Sequence, residues 1–252
     1  MSGGRVVVVT GATAGLGLGV ATAFARAGDT VIGCGRRVTH GREVEQRLRS
    51  DGLDFTFVAA DASTAAGARG FVDEAATRCG SIDVLVNNAG TVGPDPSAEL
   101  AQIDEAAFDQ VVATNLKGPF FAAQAAAEVM AQKGRGTIFT VGSAAGELIG
   151  ADLLPYRAAK AGLMFLSRCL AAALAPSGIV VHTLVLYRVD SDGGRRTTAS
   201  RIERSGLGDA EARLLWDDYE VTAVRPEDVG AAFVQMVDRP SMLIGPGFVV
   251  RP

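Results

Sequence analysis

Residues 5–17 of the chain read RVVVVTGATAGLG. The β-branched run from Val6 to Val9 shows no alternation of polar and apolar residues, which is typical of a strand buried on both faces. A glycine-rich turn follows at once, and a small-residue segment with helical character follows the turn. This order predicts a phosphate-binding turn, because glycine lets the backbone approach an anion at the amino terminus of a helix.

The rest of the chain continues the alternation of strands and helices. Further strands are predicted at 30–34, 55–59, 83–86, 137–141, 179–185 and 248–250, with helical segments between them. The pattern predicts an α/β fold: a Rossmann-type, doubly wound parallel sheet with helices on both faces.

The domain organisation follows from the absence of any low-complexity linker. We expect residues 1–252 to form a single dinucleotide-binding and catalytic domain. The polar, glycine-containing stretch 191–224 is the one long irregular segment in this interpretation. It follows the sixth strand, at the carboxyl edge of the sheet, so we interpret it as a substrate-binding lid rather than a linker.

Composition excludes several functional classes. The net charge of −4 comes without a basic block, so we expect no nucleic-acid partner. No apolar run approaches the roughly 18 residues of a membrane span, and the amino terminus lacks the layout of a signal peptide. The three cysteines form no Cys-x-x-Cys pair and there are two histidines, which argues against a disulfide scaffold and a metal site. We therefore expect a cytoplasmic protein without membrane or metal.

Tyr156 stands four residues before Lys160. On a helix this spacing places both side chains on one face. The ammonium could then stabilise a phenolate and lower the pKa of the tyrosine. By itself the pair could equally be helix surface, but next to a dinucleotide turn it favours a proton-donor site.

The end of the second strand reads Gly35, Arg36 and Arg37. An acidic residue there would repel a 2′-phosphate, whereas arginine can bind one as a fork. The arginines favour NADP(H) over NAD(H), with two solvated turn arginines as the alternative. Ala14 stands where a second basic residue often assists.

Several further motifs stand in an order and spacing that match a known family. They are Thr10-Gly11-Ala12-Thr13-Ala14-Gly15-Leu16-Gly17, Asp61, Asn87-Asn88-Ala89-Gly90, Asn115, Ser143, Tyr156 and Lys160. On these motifs the chain resembles the classical short-chain dehydrogenase/reductase family over nearly its whole length.

The resemblance implies a role for each motif. Tyr156 would exchange a proton with the carbonyl oxygen, Ser143 would polarise that oxygen, Lys160 would hold the nicotinamide ribose, and Asn115 would hold a water linked to Lys160. These four are the expected catalytic residues. The expected cofactor-binding residues are Gly11, Thr13, Gly15, Leu16, Gly17, Arg36, Arg37, Asp61, Ala62, Asn88, Ala89, Gly90, Tyr156, Lys160, Val189 and Ser191.

The chain also departs from the family pattern. Leu186-Tyr187 stands where the family usually has Pro-Gly, so Tyr187 either shapes the substrate pocket or packs away from it. Because glycine can supply a backbone conformation that tyrosine resists, the local backbone is left open. We expect Ser143, Tyr187 and Trp216 to contact substrate. The alanine-rich helices carrying Asn115 and Tyr156 favour a homodimer, with a homotetramer less secure because the usual carboxyl-terminal ending is missing.

The function expected from these features is an NADPH-dependent carbonyl (keto) reductase acting on a small-molecule ketone or aldehyde. A cyclic or aromatic secondary-metabolite ketone fits the composition of the lid. Two alternatives stay open: an NAD-linked alcohol dehydrogenase of the same family, and a non-catalytic nucleotide-binding relative.

Overall fold

The sheet has seven strands in a computed structural model that describes residues 4–93, 95, 98–238 and 247–250. The strands are β1 Val6–Val9, β2 Thr30–Gly35, β3 Phe55–Ala59, β4 Val84–Asn87, β5 Gly136–Ser143, β6 Ile179–Leu186 and β7 Gly247–Val250. Their order is β3-β2-β1-β4-β5-β6-β7, and all neighbours are parallel. The predicted fold class is confirmed.

Nine α-helices connect or follow these strands in the described part of the chain. They are α1 Gly15–Arg26, α2 Val38–Ser50, α3 Ala65–Cys79, α4 Glu105–Val112, α5 Gly118–Ala131, α6 Leu154–Leu174, α7 Asp192–Ser205, α8 Asp209–Thr222 and α9 Pro226–Asp238. A π-helical turn, Ala113–Lys117, joins α4 to α5.

The sheet separates two hydrophobic cores, and β1 contributes to both. Val7 and Val9 belong to one core, which contains Phe24 of α1 and Phe233 of α9. Val8 belongs to the other, which contains residues of α3 and α5. Because successive strand residues face opposite sides, an unbroken valine run feeds both cores.

The strand order reverses between β1 and β4, where Val9 pairs with Val86. In doubly wound sheets, ligands bind in the crevice at such a switch point, outside the carboxyl ends of the strands. Here the glycine turn after β1 and the segment after β4 meet at that point.

The expectation that 191–224 is irregular is wrong. The segment forms α7 and α8, separated by Gly206, whose φ of 63° ends α7 in the left-handed region. Ser191 caps α7, its Oγ accepting from the Gly194 N–H at 3.2 Å. Each helix buries a single residue, Ser200 and Tyr219, so no apolar stripe marks them in the sequence.

Helix α6 with the turn after it, Leu154–Ser177, is long and apolar enough to cross a membrane by length and composition, with a mean hydropathy of 1.4. No other helix among the described residues passes the same test. Leu163, Met164 and Ser167 of α6 are buried, and the helix packs along β5 and β6. This placement is that of a core helix.

The alanine-rich face of α5 lies inside this chain. Ala122, Ala123, Ala125, Ala126 and Ala127 are all buried, in the core shared with α3. They are therefore not the free face that the sequence suggested for a dimer.

Candidate active site

The glycine turn is held from behind by Asn88. Its Nδ2 donates to the carbonyls of Thr10, at 2.9 Å, and Gly11, at 3.2 Å. A Cβ on Gly17 would lie 2.2 Å from the Gly11 oxygen and 2.3 Å from Asn88 Nδ2, so only glycine fits there. Gly11 and Gly15 have φ of 68° and 50°, the left-handed region that favours glycine.

Helix α1 begins in this turn with its first N–H groups turned to the crevice. Ala14 at the N-cap has no side-chain oxygen to accept from them, and the first turn carries no acidic residue. An uncapped helix amino terminus attracts anions. A Cβ on Gly15 would lie 3.4 Å from the Ser191 side chain. Because glycine has no Cβ, there is room between the turn and the start of α7.

The remaining residues of the turn face inward. Thr13 is buried, and its carbonyl oxygen lies 3.0 Å from Nε2 of His40 in α2. Leu16 packs against the core that contains β1. His40 was not predicted as a site residue. Its position beside the turn depends on how α2 packs, which the sequence does not show.

Arg36 and Arg37 are exposed at the carboxyl end of β2, where α2 begins. Asp61 follows β3 alongside them. Partial burial raises the pKa of Asp61, but hydrogen bonds from the hydroxyl and amide of Ser63 and the positive charge of Arg36 outweigh it, so the pKa lies below its ordinary value. Ala62 is buried beside it. These residues form a charged, open edge next to the glycine turn.

The segment after β4 contacts both the glycine turn and the expected catalytic residues. The backbone N–H groups of Asn88 and Ala89 both donate to Thr10 Oγ1, each at 3.0 Å. A Cβ on Gly90 would lie 2.9 Å from Asn115 Oδ1 and 3.8 Å from Lys160 Nζ. The missing side chain of Gly90 therefore leaves room for Asn115.

Asn115 lies in the π-helical turn between α4 and α5 and is fully buried. Its Nδ2 donates to the carbonyls of Thr91, at 2.7 Å, and Val111, at 2.9 Å. Its Oδ1 accepts from the Thr91 N–H at 3.3 Å. Both amide protons are thus used, so a water next to Asn115 has to be bound through another of its atoms.

Lys160 is buried on α6, with 4% of its surface exposed. Its Nζ donates to the carbonyl of Val141 at 2.8 Å and lies 5.7 Å from the centroid of the Tyr156 ring. Burial lowers the pKa of Lys160 to about 8, because the charged form loses its hydration.

Tyr156 and Lys160 share one face of α6, as the spacing predicts. The expected direction of the tyrosine shift, however, is wrong. Burial raises the pKa of Tyr156, and the polar hydroxyl of Ser143 opposes this without reversing it. The reason is geometric: the ammonium lies beside the ring and donates to Val141, so it does not lower the pKa of the hydroxyl.

Ser143 is the last residue of β5 and pairs with Leu186 of β6. Its Oγ also accepts from the Ala145 N–H at 3.2 Å. Tyr187 follows Leu186 and is 38% exposed, at the same edge of the sheet as Ser143. Among the described residues Leu153 is the one non-glycine with positive φ, so Tyr187 adopts its backbone without that strain.

The start of α7 is fixed by Val189 and Ser191. The Val189 carbonyl accepts from the Tyr219 hydroxyl at 2.8 Å and from Ser191 Oγ at 3.3 Å. Trp216 packs edge-on against Tyr219, with ring centroids 5.8 Å apart. It borders a recess of about 230 Å³ that is also lined by Arg195 of α7 and by Arg213, Asp217 and Glu220 of α8. The substrate contact expected of Trp216 stays a prediction.

Two further residues near Tyr156 escaped the sequence reasoning. Arg157 and Asp152 form an ion pair in which both side chains are at most 14% exposed. Their separation of five residues matches neither the helix nor the strand period, so no local pattern marks them.

The chain matches the family described as short chain dehydrogenase over residues 5–201. It belongs to the short-chain dehydrogenase family. It is 37% identical over 197 residues to a Streptomyces virginiae protein assigned as ketoacyl reductase of the monensin polyketide synthase, covering 76% of this chain and 73% of that one. It is 36% identical over 180 residues to cis-4-hydroxycyclohexanecarboxylate dehydrogenase of Sinomonas cyclohexanicum, covering 71% of each.

Solved structures of short-chain dehydrogenases agree with this assignment. A metagenomic short-chain oxidoreductase in complex with NADP superimposes with a TM-score of 0.78 at 26% identity, covering 98% of this chain and 96% of that one. The matched stretches span between 65% and 74% of the length of the first curated relatives. The chain is thus an oxidoreductase of a family that binds a nicotinamide cofactor.

Proposed function

We propose that this short-chain dehydrogenase is an NADPH-dependent carbonyl reductase, in which Tyr156 protonates the oxygen of a ketone or aldehyde. The observation that carries the proposal is the convergence of Tyr156 with Ser143 at the end of β5 and with the buried Lys160, whose Nζ lies 5.7 Å from the centroid of the Tyr156 ring. This group stands at the carboxyl edge of the sheet, on the same side as the glycine turn.

The residues of the crevice fit a dinucleotide. The uncapped amino terminus of α1 would hold the pyrophosphate, and the space that Gly15 leaves opposite Ser191 would admit the chain of the cofactor. Asp61 and Ala62 would hold the adenine, Gly90 would border its ribose, and Val189 would meet the nicotinamide amide. When bound, the nicotinamide supplies the hydride.

Preference for the phosphorylated cofactor rests on the edge beside β2. Arg36 and Arg37 are exposed there, and Arg37 is the N-cap of α2, which has no side-chain cap and no acidic residue in its first turn. Two guanidinium groups and a helix amino terminus favour a 2′-phosphate. The NADP complex of a structural relative supports the same choice.

The protonation states favour reduction. Because burial raises the pKa of Tyr156, the phenol stays protonated at neutral pH, which is the form a proton donor needs. The Ser143 hydroxyl would donate to the same carbonyl oxygen as negative charge develops on it. Lys160, with a pKa of about 8, would be mostly charged at neutral pH and would hold the ribose hydroxyls of the cofactor.

The substrate class we propose is an apolar, ring-containing ketone. Leu148 and Ile149, in the loop between β5 and α6, are 55% and 104% exposed, and Tyr187 borders the same edge. The relatives named for ketoacyl reduction and for a cyclohexane carboxylate support a ring-containing or polyketide-like substrate. We further propose that α7 and α8 cover this site as a lid of a single domain.

A homo-oligomer would use the surface of α4 and α6 that stays apolar in the single chain. Phe108 and Phe165 are 45% and 66% exposed, and Leu100, Ile103, Leu154 and Pro155 line an adjoining hollow of about 530 Å³. Contiguous exposed apolar patches mark interaction sites. Phe165→Glu should shift the elution volume toward that of a monomer if this face is the interface.

The function is tested by ketone-dependent oxidation of NADPH, measured with a panel of cyclic and aromatic ketones. We expect turnover with NADPH to exceed turnover with NADH. Tyr156→Phe should lower turnover by about 10²-fold or more, while NADPH still binds, as followed by its fluorescence. If NADPH binds and no carbonyl compound in the panel is reduced, the non-catalytic alternative is favoured; a preference for NADH would overturn the cofactor assignment alone.

A further inference from the structure

The buried carboxylate of Asp152 lies in the loop between β5 and α6, which precedes Tyr156, and it faces the first lid helix, α7. The side chain of Asp152 is 10% exposed and accepts from the guanidinium of Arg157. On its other side stand two arginines of α7: Arg201 Nε lies 3.0 Å from Asp152 Oδ2, and Arg204 Nη2 lies 3.9 Å from it. One carboxylate thus faces three guanidinium groups from two parts of the chain.

The Arg157 side of this cluster fixes the loop that precedes Tyr156. Arg157 Nε donates to the Asp152 carbonyl at 2.7 Å, and its Nη1 donates to the Leu148 carbonyl at 2.8 Å. Between them, Leu153 has a φ of 55°, a conformation that a leucine keeps only when its surroundings hold it. The loop and the first turn of α6 are therefore held together by Arg157 and Asp152.

The other side of the cluster holds α7. Since Ser200 is the one buried residue of this helix, apolar packing contributes little to its position. Its amino-terminal end is fixed at Ser191, opposite Gly15 of the glycine turn. Its carboxyl-terminal half is fixed by the pairing of Arg201 and Arg204 with Asp152. Helix α7 therefore reaches from the glycine turn to the loop that precedes Tyr156.

We propose that Asp152 is a positioning residue that fastens α7 to the loop before Tyr156, so that the lid covers the carbonyl site in register with the proton donor. Asp152 does not touch the reacting atoms in this account. It acts through Arg201 and Arg204 on the lid, and through Arg157 on the loop. The kinetic part of the proposal rests on the proposed reductase function, whereas the attachment of α7 does not.

Two variants separate the two sides of the cluster. Arg201→Gln/Arg204→Gln releases α7 and leaves the Asp152–Arg157 pair intact. Asp152→Asn weakens both attachments and leaves Arg157 without its charged partner. Arg196→Gln, which changes an exposed arginine of the same helix, is the matched control.

Hydrogen exchange followed by mass spectrometry reports the attachment without any substrate. We expect the amides of α7 to exchange about ten-fold faster or more in both variants, with α9 unchanged and Arg196→Gln like the wild type. If Asp152→Asn does not fold, the double arginine variant decides. Exchange of α7 at the wild-type rate in the folded variants would overturn the proposal.

Steady-state kinetics with NADPH and 1-tetralone, an aromatic bicyclic ketone, or another ketone of the panel that the wild type reduces, give the second readout. The double arginine variant should raise KM for the ketone by about ten-fold with kcat nearly unchanged. The reason is that it frees the lid helix α7 and leaves Tyr156 in place. Asp152→Asn should lower kcat as well. An unchanged KM for the ketone in the double variant would overturn the coupling to the site. A wild type that reduces no ketone would refute the proposed function. The hydrogen-exchange result would then still test whether Asp152 attaches α7 to the loop.

Discussion

Gly17→Ala is the substitution whose effect follows most directly from the structure. The new methyl group would lie 2.2 Å from the Gly11 oxygen and 2.3 Å from Asn88 Nδ2. Both neighbours belong to the bonded frame of the glycine turn, because Asn88 Nδ2 donates to the carbonyls of Thr10 and Gly11. The helix can make room only by moving away from the turn or by breaking those hydrogen bonds.

The magnitude combines three contributions. Overpacking a core costs about 1–3 kcal/mol, and the two hydrogen bonds of Asn88 contribute about 1 kcal/mol each when lost. Alanine returns up to about 1 kcal/mol through its helix propensity. With both hydrogen bonds lost, the free energy of unfolding should therefore fall by about 2–5 kcal/mol. Each kcal/mol lowers the Tm by about 2–4 °C in a chain of this size.

Gly70→Ala is the matched control, since Gly70 lies within α3, is exposed, and has no described atom within 4 Å of its would-be Cβ. This variant should gain up to about 1 kcal/mol in the free energy of unfolding. Urea titration and NADPH fluorescence titration of both variants test the reasoning, with NADPH affinity reduced in Gly17→Ala alone. A Gly17→Ala protein as stable as Gly70→Ala, with wild-type NADPH affinity, would refute it.

Three other predictions concern the site. Tyr156→Phe should lower kcat about 10²–10⁴-fold at an unchanged Kd for NADPH, and full activity would exclude Tyr156 as the proton donor. Arg36→Glu should lower the ratio of NADPH to NADH affinity by about ten-fold or more, and an unchanged ratio would refute the phosphate contact. Because burial holds the pKa of Lys160 at about 8, below the 10.5 of a free lysine, the wild type should gain stability relative to Lys160→Met as pH rises from 8 to 10.5. The gain should reach at most about 3 kcal/mol by urea titration, and parallel curves would contradict it.

The sheet could be predicted because its determinants are local. The valine run of β1 and the glycine turn after it carry both the buried strand and the switch point where β1 and β4 meet. Tyr156 and Lys160 were predictable for the same reason, since four residues on a helix fix their common face.

The lid helices could not be predicted because their stability does not come from an apolar stripe. Helix α7 depends on the Ser191 cap and on ion pairs to Asp152, a residue that lies 49 positions before Arg201 in the chain. Such long-range pairs leave no periodic signal. A reading of the sequence therefore finds polar residues and glycines there and predicts irregular structure.

The direction of the Tyr156 pKa shift could not be predicted for a related reason. Spacing shows that the ammonium of Lys160 is near, and it does not show that the ammonium donates to the Val141 carbonyl or that burial dominates at the phenol. The same limit applies to Asn115, whose amide protons are taken by Thr91 and Val111.

Hydride transfer to a carbonyl carbon can be followed with NADPH that carries deuterium at both positions of nicotinamide C4. The protein is incubated with this NADPH and the ketone panel, and the products are analysed by mass spectrometry. We expect an alcohol with deuterium on its carbinol carbon from the wild type, and at least about 10²-fold less of it from Tyr156→Phe in the same time. Bound NADPH that gives no labelled alcohol with any ketone of the panel would contradict it.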